Sequence, residues 1–283
     1  MKNVIIGGVP EHFNLPWHLC IEENLFAQKG LNIIWKDFPE GTGAMCQALR
    51  NNEIDIAIIL SEGIIKDITA GNPSKIVQVY VDSPLIWGIH VSAKSNYKTN
   101  EDLKGTTAAI SRYGSGSHLM AYINAQNNNW DTSDLDFNVI NNVQGAIDAL
   151  SLGQADYFMW EHFTTKPLVD KGTFRRVADC PTPWPCFVIA AREEFIKNNT
   201  EELKSTLEVI NSKTRNFKQI NGIDKILAER YDQKLEDIKK WLSITTWSEK
   251  QLPEKTLNNI QHQLSELDII NKELAYNQIC ANL

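Results

Sequence analysis

Apolar positions along the chain come in short runs separated by stretches of helical spacing. Residues 4–9 form an apolar run of strand length, and residues 15–28 carry helical spacing that ends at Gly30. Residues 31–35 predict a second strand, residues 43–51 a helix with Met45, Ala48 and Leu49 on one face, and residues 54–60 a third strand. This βαβαβ order predicts a parallel sheet covered on both faces. The order then recurs. Strands are expected over 106–110, 135–140 and 155–160, with helices over 117–125 and 146–152. Ala48-Leu49-Arg50-Asn51-Asn52-Glu53-Ile54-Asp55 lies 101 residues before Ala149-Leu150-Ser151-Leu152-Gly153-Gln154-Ala155-Asp156, with Ala, Leu and Asp shared in register. Together these repeats point to two similar α/β lobes rather than one long sheet.

Residues 76–93 read as two strands broken at Ser83-Pro84, able to carry the chain from the first lobe to the second, and residues 187–191 as a strand that carries it back. Beyond Arg192 the pattern is helical and charged, with amphipathic stretches over 201–217, 225–231, 235–242 and 256–267. These helices are expected on the first lobe. The predicted architecture is therefore α/β: two Rossmann-like lobes joined by a two-segment hinge, with a ligand cleft between them. Lobe I is 1–88 plus 190–283, and lobe II is the inserted segment 89–189.

Composition narrows the function classes. Of 283 residues, 42% are hydrophobic and 22% charged, which is ordinary globular usage and opposes wholesale disorder. A net charge of −7 opposes sequence-independent binding to nucleic acid or to anionic membrane. No uncharged apolar run reaches the roughly 18–20 residues of a membrane span. The start, Met1-Lys2-Asn3-Val4-Ile5-Ile6, enters strand-like sequence without the pattern of a signal peptide. Five cysteines, with no CxxC spacing, oppose a disulfide framework. Both features lead to the expectation of a cytoplasmic protein, or a periplasmic one if a signal peptide has been removed.

In open α/β sheets ligands sit beyond the carboxyl ends of the strands, so the loops there are the candidate site. Gly114-Ser115-Gly116-Ser117 opens a helix, where N–H groups and the dipole favour an anion; the alternative is a plain N-cap. Thr42-Gly43 opens a helix in the first lobe in the same way. Glu11-His12 and Glu161-His162 hold equivalent places after a strand in each lobe. They suit hydrogen bonds to ligand amino groups, convergence on Zn or Fe, or plain structure. Ser61 and Glu62 follow the third strand, and Arg112, Tyr113 and His118 surround the Gly-Ser turn. Trp17, Tyr113, Trp160 and Trp184 either stack on a flat ligand or cap the lobe cores.

The stretches Gly8-Val9-Pro10-Glu11-His12-Phe13, Ser111-Arg112-Tyr113-Gly114-Ser115-Gly116-Ser117-His118 and Trp160-Glu161-His162-Phe163-Thr164-Thr165, with Pro181-Thr182-Pro183-Trp184-Pro185-Cys186-Phe187, carry a resemblance. The chain resembles the type II periplasmic-binding-protein fold. It is most similar to the nitrate/sulfonate/taurine and thiamine-pyrimidine-precursor solute-binding family, and to its branch without an export signal in bacteria and Candida albicans. That resemblance implies a ligand trapped between lobes by hinge closure, lined by Glu11, His12, Thr42, Gly43, Glu62, Ser115, Gly116, Ser117, His118, Trp160 and Glu161. One fungal enzyme of the family makes the thiamine pyrimidine from its own His and bound pyridoxal phosphate, with a cysteine-rich motif. Here Cys180 and Cys186 flank the Pro-rich turn without a run of cysteines, and the first loop has no Lys.

The expected function is therefore binding of a small zwitterionic, anionic or pyrimidine-like molecule, without cofactor, metal or catalytic residues, by a monomer. The alternatives are a thiamine-pyrimidine-type or metal-assisted enzyme on this fold, and a ligand sensor whose closure exposes a surface to another protein. The family's usual partner is an ABC permease, and the missing export signal counts against one here.

Overall fold

Ten strands and thirteen helices follow one another in the computed structural model, which describes residues 1–283. The chain begins with β1 (Lys2–Gly8), α1 (Leu15–Glu22), α2 (Leu25–Gln28), β2 (Leu31–Asp37), α3 (Thr42–Arg50), β3 (Ile56–Leu60), α4 (Ser61–Thr69) and β4 (Ser74–Val81). It continues through β5 (Ile86–Ser92), β6 (Thr107–Ile110), α5 (Gly116–Asn127), β7 (Asp136–Val139), α6 (Val143–Ser151), β8 (Tyr157–Glu161), α7 (Lys166–Asp170) and β9 (Phe174–Pro181). The return strand is β10 (Phe187–Arg192). After it come α8 (Glu193–Asn198), α9 (Thr200–Asn216), α10 (Ile223–Arg230), α11 (Leu235–Ile244), α12 (Glu254–Glu266) and α13 (Tyr276–Ile279).

These elements form two units, Met1–Ser83 with Trp184–Leu283, and Pro84–Pro183. The crossings thus fall at Ser83/Pro84 and Pro183/Trp184, five or six residues before the places expected from the pattern. The prolines on the unit-two side of each crossing fix φ and remove a donor, which ends strand pairing there. Each unit is built on one five-stranded sheet, ordered β2-β1-β3-β10-β4 in the first and β7-β6-β8-β5-β9 in the second. β1 pairs with β2 and β3 in parallel, as β6 does with β7 and β8. The fourth strand departs from the expected parallel sheet: β10 runs antiparallel to β3 and β4, and β5 antiparallel to β8 and β9. In both units that strand is the first one after a crossing, and it enters from the end where the parallel strands finish.

An Asp clamps the parallel core of each sheet. Asp55 accepts from the Ile5 N–H through Oδ2 at 2.9 Å and donates its own N–H to the Ile5 carbonyl at 2.8 Å. Asp156 repeats both bonds with Thr107, at 2.9 and 2.8 Å. The three-residue identity between the two halves of the sequence therefore marks a framework device. In the first unit β3 and β10 are buried on both faces, with Ile56, Ala57, Ile58, Ile59, Val188, Ile189 and Ala190 all wholly inaccessible. α9 packs on α1 and α12 on α4, so the C-terminal helices do cover the first unit's sheet. The helix expected over 15–28 is broken between α1 and α2. Asn24 there takes φ 57°, a left-handed conformation that Asn tolerates better than most residues.

Candidate functional site

In the second unit the polar groups gather where β6 meets α5. Gly114 has φ 71°, so the turn needs a residue without Cβ strain. Ser115 is the N-cap of α5, its Oγ accepting from the His118 N–H at 3.4 Å. Ser117 Oγ accepts from the Ser111 N–H at 3.0 Å and lies 3.1 Å from Ser115 Oγ and 3.3 Å from Ser111 Oγ. These three hydroxyls are buried at the start of a twelve-residue helix, whose first turn leaves N–H groups without intrahelical acceptors. The cluster is suited to an anionic or carbonyl oxygen. His118 Nδ1 accepts from the Gly114 N–H at 3.1 Å, which assigns a neutral ring with its proton on Nε2. Its ring meets Phe137 edge-on with centroids 4.7 Å apart, and Tyr113 at 5.3 Å. Tyr113 is 65% exposed and Arg112 is exposed, so both stand at the outer rim.

At the end of β8 three candidates point in different directions. Glu161 is buried, and its Oε2 accepts from the Thr164 N–H at 2.6 Å. Burial pushes its carboxyl above the usual range, opposed by hydrogen bonds from Thr164 and the Phe163 backbone. His162 Nδ1 lies 2.8 Å from Asp179 Oδ1 on β9. Asp179 sits below the ordinary carboxylate range: burial raises it, and the His162 hydrogen bond and nearby positive charge outweigh burial. Trp160 is half-buried and stacks on Phe158 at 5.4 Å, against the core cluster formed with α6. Its ring lies on the core side of β8 rather than on the Glu161 side, because neighbours in a strand alternate.

The first unit presents a different surface at its strand ends. Glu11 and His12 follow β1 in a 3-10 turn, where the His12 ring stacks on Phe13 at 4.8 Å and meets Trp241 of α11 at 4.3 Å. Burial lowers His12 to about 3, so it is neutral at pH 7. Trp17 is a correction to the expected site: it is fully buried, packed among Phe26, Trp35 and Tyr80. The apolar spacing of α1 turns that residue inward into the core.

Ser61 and Glu62 also differ from expectation, since no loop follows β3. α4 starts at Ser61 directly after Leu60. Ser61 Oγ donates to the Pro185 carbonyl at 2.6 Å, and its N–H to the Cys186 carbonyl at 3.1 Å. Glu62 is 3% exposed, and its Oε2 accepts from the Trp184 indole N–H at 2.9 Å. Its Oε1 is buried without a hydrogen-bond partner. Burial raises this carboxyl to about 7, opposed by its own backbone N–H and by Trp184. Thr42 opens α3 after Gly41 (φ 77°) and lies so close to Gly63 that a Cβ there would meet Thr42 Cγ2 at 2.3 Å. Within this unit the first turn of α4 is thus met by Thr42 at Gly63 and by Trp184 at Glu62.

Asp179 and Thr164, which fix His162 and Glu161, were missed from the sequence. Asp179 belongs to β9, whose Phe174-Arg175-Arg176-Val177-Ala178-Asp179-Cys180 carries only a weak alternation. No three His, Cys, Asp or Glu side chains are grouped to hold a metal ion, and no helix is long and apolar enough to cross a membrane.

A family model described as Ca3427-like PBP matches residues 87–180, and no curated protein matches the chain. Among solved structures, the Candida albicans CA3427 gene product is 24% identical, with a TM-score of 0.87 over 97% of this chain and 92% of that one. It is described as defining a new family with the generic periplasmic binding protein fold. The alkanesulfonate-binding protein SsuA from Xanthomonas axonopodis pv. citri, bound to MOPS, is 17% identical, with a TM-score of 0.82 over 99% of this chain and 98% of that one. The periplasmic aliphatic sulphonate binding protein SsuA from Escherichia coli is 19% identical, with a TM-score of 0.76 over 100% and 92% of the two chains. From its two five-stranded sheets, their shared strand plan and these likenesses, the chain has the periplasmic-binding-protein fold.

Proposed function

We propose that this chain is a small-molecule solute-binding protein that closes its two units around a ligand and performs no chemistry on it. The observation that carries this reading is a pair of unlike polar groups, each buried at the strand ends of its own unit. One is the Ser111–Ser115–Ser117 hydroxyl cluster at the start of α5, and the other is the Glu62 carboxyl with an unbonded oxygen. Burying the Glu62 oxygen without a bond costs free energy that a ligand N–H would recover, and the serine hydroxyls stand beside the first-turn N–H groups of α5, which have no intrahelical acceptor. Hydroxyls and helix N–H groups suit an acceptor, whereas a carboxyl suits an N–H. The ligand class that matches both is a small zwitterion, or a flat pyrimidine-like ring with an acceptor and an N–H. MOPS, bound by the Xanthomonas protein, has that polarity, with a sulfonate and a ring ammonium.

Native mass spectrometry of freshly purified protein tests this reading. A small molecule released on denaturation is expected. A ligand-free mass, together with no thermal stabilisation by any amino-sulfonate, amino-acid or aminopyrimidine compound, would overturn it. An intracellular location belongs to the same proposal, supported by five buried and unbridged cysteines. Thiol counting under denaturing, non-reducing conditions should find five, and a count of three would contradict it.

A further inference from the structure

We propose that Glu62 selects the ligand by accepting, at Oε1, a hydrogen bond from a protonated N–H group, an ammonium or an amidinium. This rests on the solute-binding reading and deepens it by specifying the atom that accepts and the positive charge that the N–H group carries.

Four observations within the first unit converge on this carboxyl. Its Oε2 is held by the Trp184 indole N–H, so the group has a fixed orientation. Its Oε1 lacks a partner although the residue is buried, and an orphaned buried acceptor is among the costlier features a fold can carry. Glu62 lies in the first turn of the nine-residue α4, where the helix dipole favours the ionised form. Finally, Glu62 is the second residue after β3 ends at Leu60, and the start of α3 packs on the same turn through Thr42 and Gly63, so this turn lies at the strand ends.

Burial raises the Glu62 carboxyl, and its own backbone N–H and the Trp184 indole oppose that rise. The elements packed against α4 carry Cys46 and Arg50 on α3, Arg192 on β10, Glu254, Lys255, His262 and Glu266 on α12, and Tyr276 on α13; α4 itself carries Lys66 and Asp67. Arg50 is paired with Asp67, Arg192 with Asp55 and His262 with Glu266. A cationic N–H of the ligand would supply the counter-charge that the ionised form of this buried carboxyl demands. A neutral hydroxyl would satisfy the geometry but not the charge.

The test uses the ¹⁵N-labelled full chain and its eight tryptophan indole resonances, with Trp184 assigned by its loss in Trp184→Phe. Four probes are titrated at fixed pH: methylammonium, acetamidinium, tetramethylammonium and methanesulfonate. Fragments this small bind in the millimolar range at best. A saturable Trp184 shift is expected with methylammonium or acetamidinium and not with tetramethylammonium, which has the charge without an N–H. The isosteric Glu62→Gln should weaken that response at least about tenfold, the loss expected for a charge-assisted hydrogen bond. An equal response to tetramethylammonium, or an unchanged response in Glu62→Gln, would overturn the assignment. Binding of methanesulfonate alone, unaltered in Glu62→Gln, would also overturn it while leaving the solute-binding reading intact. Silence towards all four probes and an empty native mass spectrum would remove both.

Discussion

In the first unit Asp55 ties β3 to β1 and then pairs with Arg192 at 2.6 Å; in the second, Asp156 ties β8 to β6 and accepts from the Tyr97 hydroxyl at 2.8 Å. The clamp is the same, but one unit completes it with a cation from β10 and the other with a neutral phenol. At the strand ends the divergence is wider. The second unit gathers hydroxyls and a helix start, and the first gathers a buried carboxyl with an indole. Two units of one strand plan thus keep their framework and differ in the polar groups at their strand ends. The internal repeat consequently marks the scaffold, and the residues outside the repeat carry the difference between the units.

The largest expected effect separates core from site among the tryptophans. Trp17→Ala should destabilise the protein by about 3–5 kcal/mol, because a fully buried indole leaves a cavity. Trp160→Ala, at a half-buried ring, should cost about 2 kcal/mol. Urea unfolding measures both, and equal losses would break the distinction between a sealed core position and one at its edge.

The two clamps come next. Asp55→Ala removes the acceptor of the Ile5 N–H and the nearer of two carboxylates at Arg192, Glu194 being the other, and should cost about 2–3 kcal/mol. Asp156→Ala removes the acceptor of one backbone N–H and one phenol and should cost about 1–2 kcal/mol. If the second variant proves the weaker protein, the cation contributes less than the comparison assigns to it.

Glu62 gives a prediction with a definite pH sign. Its carboxyl is raised from an ordinary 4.5 to about 7, so between those values the folded chain holds a proton that the unfolded chain has released. Stability therefore falls as pH rises through that window. Relative to Glu62→Gln, the wild-type protein should lose on the order of 2–3 kcal/mol between pH 4.5 and pH 8. Parallel stability curves for the two proteins would show that Glu62 titrates normally. The smallest effect is expected from Ser117→Ala, about 1 kcal/mol, because the Ser111 N–H loses one acceptor beside two other hydroxyls.

Much of this framework was legible from periodicity. Residues 54–60 and 187–191 are nearly unbroken apolar runs, as strands buried on both faces must be, and the paired Asp residues appeared as an identity before their role was visible. The antiparallel fourth strands were not legible, because an apolar run states burial but not direction. α4 escaped notice because Ser61-Glu62-Gly63 has loop composition, while Ile64, Ile65 and Ile68 give the helical spacing just beyond it. The Gly-Ser turn before α5 was readable from its glycines and its N-cap serine. The bond between Glu62 and Trp184 spans 122 residues and leaves no local trace, so only the structure reveals which carboxyl lacks a partner.

The most direct test of the central claim is calorimetry with the molecule released from the native protein, titrated into wild type, Glu62→Gln and Ser117→Ala. One molecule per chain is expected, with affinity reduced at least about tenfold by Glu62→Gln and less, but measurably, by Ser117→Ala. Unchanged affinity in both variants would contradict the proposed roles of Glu62 and Ser117 in holding the ligand.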